Sequence, residues 1–311
     1  IHSRLRAVPD YLAALQSRLG TPLERWRVMD LEKVKELPSL FSSLADWSAA
    51  TPDSDHSAFE AARAEAEAAL LRYAEHLASL ETHCELHLEF DVARELVALR
   101  GIEKPLEELH QIARDFLAEN AETLSELRGR LAKKYGLERD ASIEEVEGEL
   151  RKRFAPSPDQ RNPDRILARY QQEREKVLAF IAERELFPIL EAQDMKILRT
   201  PAFMTPSIPA GAMVSPAPFR EGTRTSLIYL TLSDELVAHF CELDVPGMMI
   251  HEGIPGHHLQ PATASAHSSV IRRHMRAMDQ PDGRTTMPAD YQLAVGYMGE
   301  LPDRARVVAQ R

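Results

Sequence analysis

The sequence predicts a mainly α-helical protein with a small antiparallel β-sheet. Three observations carry that expectation: apolar residues at helical spacing from Pro9 to about Phe180, a crowd of prolines after Leu186, and one β-branched, apolar run from Thr223 to Leu232. Apolar residues recur at Phe59, Leu70, Tyr73, Ala74, Leu77 and Leu80 among Glu and Arg, the stripe of an amphipathic helix. Leu106, Leu109, Ile112, Ala113, Phe116 and Leu117 repeat it. Ser142 with Glu145 forms a capping box ahead of Val146 and Leu150. Asn162-Pro163 puts a cap and a first-turn proline before Ile166, Leu167, Tyr170, Val177, Leu178 and Ile181. These helices read as structural.

Prolines at 188, 201, 206, 209, 216 and 218 make Leu198 to Phe219 irregular and extended, because proline fixes φ and removes an amide donor. The run Thr223 to Leu232, bounded by Gly222 and Ser233, is the clearest strand. Ser233 then caps a short helix through Glu242, and Pro246 opens another, Gly247 to Glu252, whose apolar lead-in says it is buried and next to the strand. The change of pattern divides the chain into a helical domain, 1–186, and a site region, 187–311.

Acidic side chains number 49 against 38 basic ones, a net charge of -11 that repels phosphate backbones and anionic membrane surfaces. Nucleic acid is excluded as a partner on that ground. The basic cluster Arg128, Arg130, Lys133 and Lys134 reads as a solvated helix face. No apolar run reaches the length of a membrane span. Cys84 and Cys241 lie far apart in apolar-periodic stretches and read as buried thiols, not as a disulfide. A chain that starts at Ile1 leaves two compartments open, the cytoplasm or export after loss of a leader.

Chemistry concentrates in His251-Glu252-Gly253-Ile254-Pro255-Gly256-His257-His258. A hydrolytic zinc site takes imidazoles and usually a carboxylate as ligands, with a further carboxylate to accept a proton from water. A helix supplies this most simply as His-Glu followed by a second His one turn on. Here that position is Pro255, which cannot donate to the carbonyl of His251, so the helix must bulge or break. A bulge that absorbs two residues returns His257 to the face of His251. His258 would share that face only in an unbroken helix, which leaves His258 and Gln260 to orient the ligands or to serve as alternative ones. The donor set suits one zinc ion, and manganese or cobalt would also fit. Tyr229, Tyr291 and Tyr297 read as packing residues before oxyanion donors.

His251 to Gln260 match throughout the signature His-Glu-Gly-x-Pro-Gly-His-His-Leu-Gln, and the chain resembles the large bacterial family of metallopeptidase-like proteins catalogued as domain of unknown function 885. Pro201-Ala202-Phe203, Ser215-Pro216-Ala217-Pro218-Phe219, the strand at 224–232 and Ala305-Arg306-Val307-Val308 extend the resemblance. It implies a zincin-like architecture of the kind with a glutamate third ligand. It further implies metal ligands His251 and His257, with Glu252 as the base for a metal-bound water attacking a peptide carbonyl. The strand at 224–232, including Tyr229, would be an edge that pairs with the peptide substrate. One part of the pattern is missing. The family's Glu-Gly-Trp stretch after the motif, which would offer the third ligand, has no counterpart, since the only tryptophans are Trp26 and Trp47. The site region thus looks incomplete on its C-terminal side, and Glu300, the one glutamate after Glu252, is left as a candidate for that ligand or for a group behind it. The rival reading is a catalytically inactive helical binding or scaffold protein that keeps a degenerate metal site. The residues do not fix the oligomeric state.

Overall fold

The computed structural model describes every residue except 53, 86, 88, 192, 217–223, 275–278 and 310–311, and only the backbone of 279–286. Ala217 to Phe219, Gly222 and Thr223, all quoted above, therefore lie outside the described residues. Helices dominate. They are α1 (His2–Gln16), α2 (Glu24–Ala50), α3 (His56–Ser79), α4 (Phe90–Leu99), α5 (Leu106–Tyr135), α6 (Ile143–Arg153) and α7 (Pro163–Arg184). After the sheet come α8 (Asp234–Ala238), α9 (Asp244–Met248), α10 (Leu259–Ser265), α11 (Val270–His274), α12 (Asp279–Ala294) and α13 (Leu301–Ala309).

The caps fall where the sequence puts them. The Ser142 hydroxyl accepts the Glu145 amide at 3.1 Å while the Glu145 carboxylate accepts the Ser142 amide at 2.7 Å, so two orphan donors at the start of α6 are satisfied. Asn162 accepts the Arg165 amide at 3.1 Å with Pro163 in the first turn of α7. Helix α8 stops sooner than expected. The Glu242 amide bonds to the Phe154 carbonyl, so the chain leaves the helical path before that residue.

Two compact units are present, one of Ile1–Glu89 with Thr200–Pro209, the other of Phe90–Arg199 with Ala210–Arg311. In the first, α1 and α2 pack on α3 around Leu5, Leu12, Phe41, Phe59, Ala66, Tyr73 and Leu77. The 3-10 turn Ala202–Met204 packs against α2. The second unit groups α4 to α7 with the sheet and the histidines, whereas composition changes at residue 186; the packing of α7 on the sheet joins the two sides of that change.

The sheet is mixed, not antiparallel. Strands β1 (Gln193–Arg199), β2 (Gly211–Val214) and β3 (Arg224–Leu230) lie in the order β1-β3-β2, with β1 parallel and β2 antiparallel to β3. A parallel pair requires a long crossover, and the proline-rich stretch between β1 and β3 supplies it. On the inward face Met195, Ile197, Ile228 and Leu230 meet Ile166, Tyr170, Val177 and Ile181 of α7, together with Val245 and Met249. Strand β3 and the segment leading to the histidines thus share one core, as expected. Buried Glu173 of α7 accepts from Arg169 at 2.8 Å and from the Tyr297 hydroxyl at 2.5 Å, and Arg169 also reaches Glu242 at 2.6 Å.

Two expectations of burial fail. Cys241 is buried but Cys84 is exposed. The apolar stripe that opens α5 also faces outward at Ile112, Phe116 and Leu117, as do Phe90, Leu96 and Leu99 of α4. Periodicity marks an apolar face; it does not say what covers it.

Candidate metal centre

Helix α9 does not run on as α-helix. It passes into a π-helical turn, Met249–Gly253, and the chain then takes a cis peptide at Ile254-Pro255. The closing hydrogen bonds show how the extra residues are absorbed. The His257 amide donates to the His251 carbonyl six residues back at 2.8 Å, and the His258 amide donates to Glu252 and Gly253 carbonyls at 3.2 and 3.1 Å. An α-helix would bond four residues back, so the turn accommodates two more, the bulge that Pro255 calls for. Gly256 is essential to it: a Cβ there would overlap the carbonyl oxygens of His251 and Ile250.

The result is convergence. One ligand atom from each of His251, Glu252 and His257 lies within 4.8 Å of the others. The two imidazoles meet edge to face, with centroids 5.0 Å apart and planes at 83°. Glu252 is buried, while the two histidines keep partial access to solvent. Two imidazoles and a carboxylate form a donor set that fits zinc. Among the described residues no other His, Cys, Asp or Glu joins the group. The turn is held from several sides, by α7, α12 and β2, and its own first residues, Met249 and Ile250, are wholly buried.

The remaining sequence candidates lie elsewhere. His258 is 1% exposed and its Nδ1 bonds to the Ser226 hydroxyl of β3 at 2.7 Å. Burial, and after it the nearby Arg174, pushes its imidazole down to about 4, so it is neutral near pH 7. Gln260 is half-buried on α10. Glu300 is largely exposed and pairs with Lys134 at 3.4 Å, so the structure does not bring it to the three converging residues. Tyr291 packs edge-on to Phe187 at 5.5 Å. The Tyr297 hydroxyl donates to Glu173, as already described. Tyr229 is half-buried on β3, in register with Leu198 on one side and Ala212 on the other.

That register corrects one expectation. Strand β3 is the middle of the sheet, paired along its whole length with β1 and over Leu227–Leu230 with β2, so Tyr229 does not stand at an edge for a peptide. Sequence reasoning also missed Ser226. The signal was there: the alternation that buries Ile228 and Leu230 buries position 226 too, and a hydroxyl on a core face needs a partner.

The family model described as "Bacterial protein of unknown function (DUF885)" matches residues 1–279. The chain belongs to that family. No curated protein matches this DUF885 chain. Its fold is similar to a crystal structure described as the putative lipoprotein from Colwellia psychrerythraea, with a TM-score of 0.75 at 18% identity over 99% of the chain. The DUF885 chain spans 57% of that structure's length. Among the described residues no helix is long and apolar enough to cross a membrane.

Proposed function

We propose that this DUF885 chain is a zinc-dependent peptide hydrolase of zincin-like type. The observation that carries the reading is the convergence of His251, Glu252 and His257 on one π-turn. His251 and His257 would hold the ion, which when bound supplies Lewis acidity to a peptide carbonyl. Glu252 follows His251 directly in the turn, so its carboxylate leaves the backbone in a different direction from that imidazole, which suits a base more than a ligand. In this role its carboxylate takes the proton from the attacking water and returns it to the leaving amine. Burial of Glu252 removes competing solvent from that proton path. His258, held by Ser226, fixes the turn that carries His257. Since β3 is internal, an extended peptide would add to the sheet at β2, which contacts the π-turn and pairs on one side with β3.

A second reading, a helical scaffold with a degenerate site, draws support from the absence of a fourth His, Cys, Asp or Glu among the described residues. If Glu252 must complete the ligand set, no base remains. Metal content and hydrolysis of a mixed peptide library, measured on one preparation, separate the two. Zinc bound with cleavage supports the hydrolase, and zinc bound without cleavage supports the scaffold.

A further inference from the structure

Gln193 opens β1 and Arg224 opens β3, and the two occupy one register position of the parallel pair. Alternation along each strand puts them on the face that continues through Met195, Ile197, Ser226 and Ile228, all buried. Gln193 and Arg224 therefore stand side by side at the polar end of an otherwise closed face. Their inner atoms are cut off from solvent: Gln193 Oε1 and Nε2 and Arg224 Nε have no hydrogen-bond partner among the described residues. Arg174 of α7 adds another, since its Nε is also buried and unpartnered while its Nη2 donates to Asp194 at 3.2 Å. Asp194 answers Arg174; among the described residues no ion pair answers Arg224.

A guanidinium does not lose its charge, so its buried N–H groups favour an anionic acceptor over the neutral amide oxygen of Gln193 beside them. The planar, two-oxygen acceptor that matches guanidinium and amide N–H groups is a carboxylate. A chain of neighbours links the place to the converging histidines. Ser226, the next inward position after Arg224 and about 7 Å along the strand, holds His258, and His258 follows His257 directly. We infer that Arg224, Arg174 and Gln193 form a carboxylate-recognition subsite, which selects peptides carrying an anionic group next to the bond presented to the metal centre. The inference rests on the hydrolase reading for its substrate, but the subsite stands on its own contacts.

The carboxylate comes either from a peptide C-terminus or from an acidic side chain. Three peptides of one length separate these sources: a free acid with neutral side chains, its C-terminal amide, and an amide carrying one glutamate. The zinc-loaded protein should favour one carboxylate peptide over the neutral amide by about ten- to a hundredfold in kcat/KM, the range of a charge-assisted hydrogen bond. Arg224→Met should bring that ratio towards one. Gln193→Glu should do the same for a different reason, by placing a carboxylate beside Arg224, and it should raise the thermal midpoint. Because that variant relieves an unpaired group, it covers the case in which Arg224→Met fails to fold. Calorimetric titration of the same peptides into Glu252→Gln protein reads binding without turnover. Carboxylate-selective, Arg224-dependent binding, with a zinc-loaded wild type that cleaves none of the three peptides, would overturn the hydrolase and keep the subsite. Cleavage without carboxylate preference, or preference untouched by both variants, would overturn the subsite and keep the hydrolase.

Discussion

Glu252 and His258 sit close in sequence, yet the structure gives them different surroundings, and substitutions should tell them apart. Glu252→Gln preserves volume and hydrogen-bonding shape while removing basicity, so zinc content should hold and peptide turnover should fall by about two to four orders of magnitude. Equal turnover at equal metal content would remove Glu252 from the chemistry. His258→Ala leaves a cavity and the Ser226 hydroxyl unanswered, so the expected cost is about 1–3 kcal/mol by urea titration, with zinc retained. His257→Ala should empty the site instead. The reverse pattern of metal content would exchange the two histidines. At this scale the sequence was readable where spacing alone decides: Pro255 forces the two-residue bulge that returns His257 to His251. It was not readable for Glu300, whose place depends on α5 and Lys134, far away in the chain.

Among the elements, the π-turn is the one that sequence position alone could have broken. Gly256→Ala puts a methyl into two backbone carbonyls that cannot retreat without undoing the turn, so both metal binding and folding of the second unit should be lost. Gly253→Ala meets only the ends of Met249 and Met195, 3.0 and 3.3 Å away, and flexible side chains give way. Circular dichroism melts and zinc titrations of the two variants should therefore diverge, and similar mild losses would mean the close approach at Gly256 is not needed. The helices were legible because caps and periods are local signals. Strands β1 and β2 were not: in β1 the alternation of Met195 and Ile197 is short and is broken by apolar Leu198, and β2 is four residues among prolines. Sheet type depends on which strands meet, a non-local fact, and so an antiparallel expectation gave way to a mixed sheet.

For the whole molecule, the two units offer separate readouts of metal binding. Trp26 and Trp47, the only tryptophans, both belong to the first unit, while His251 and His257 belong to the second. Zinc at about a thousand times its Kd should stabilise the unit that binds it by about 4 kcal/mol. Thermal scans should show that gain in far-ultraviolet circular dichroism, with the tryptophan-fluorescence transition unmoved and a chelator reversing the effect. A matching shift of the fluorescence would mean the units unfold together. The exposed apolar faces of α4 and α5 show how little of a surface's fate is written in its own pattern. The short return of Thr200–Pro209 to the first unit has a consequence of another kind. On the ribosome, the helices of residues 1–89 emerge early but lack the turn that packs against α2 until residues 200–209 have followed. Neither unit is a contiguous stretch of message, so a stalled or shortened nascent chain that ends before residue 200 exposes the α2 surface that this turn covers.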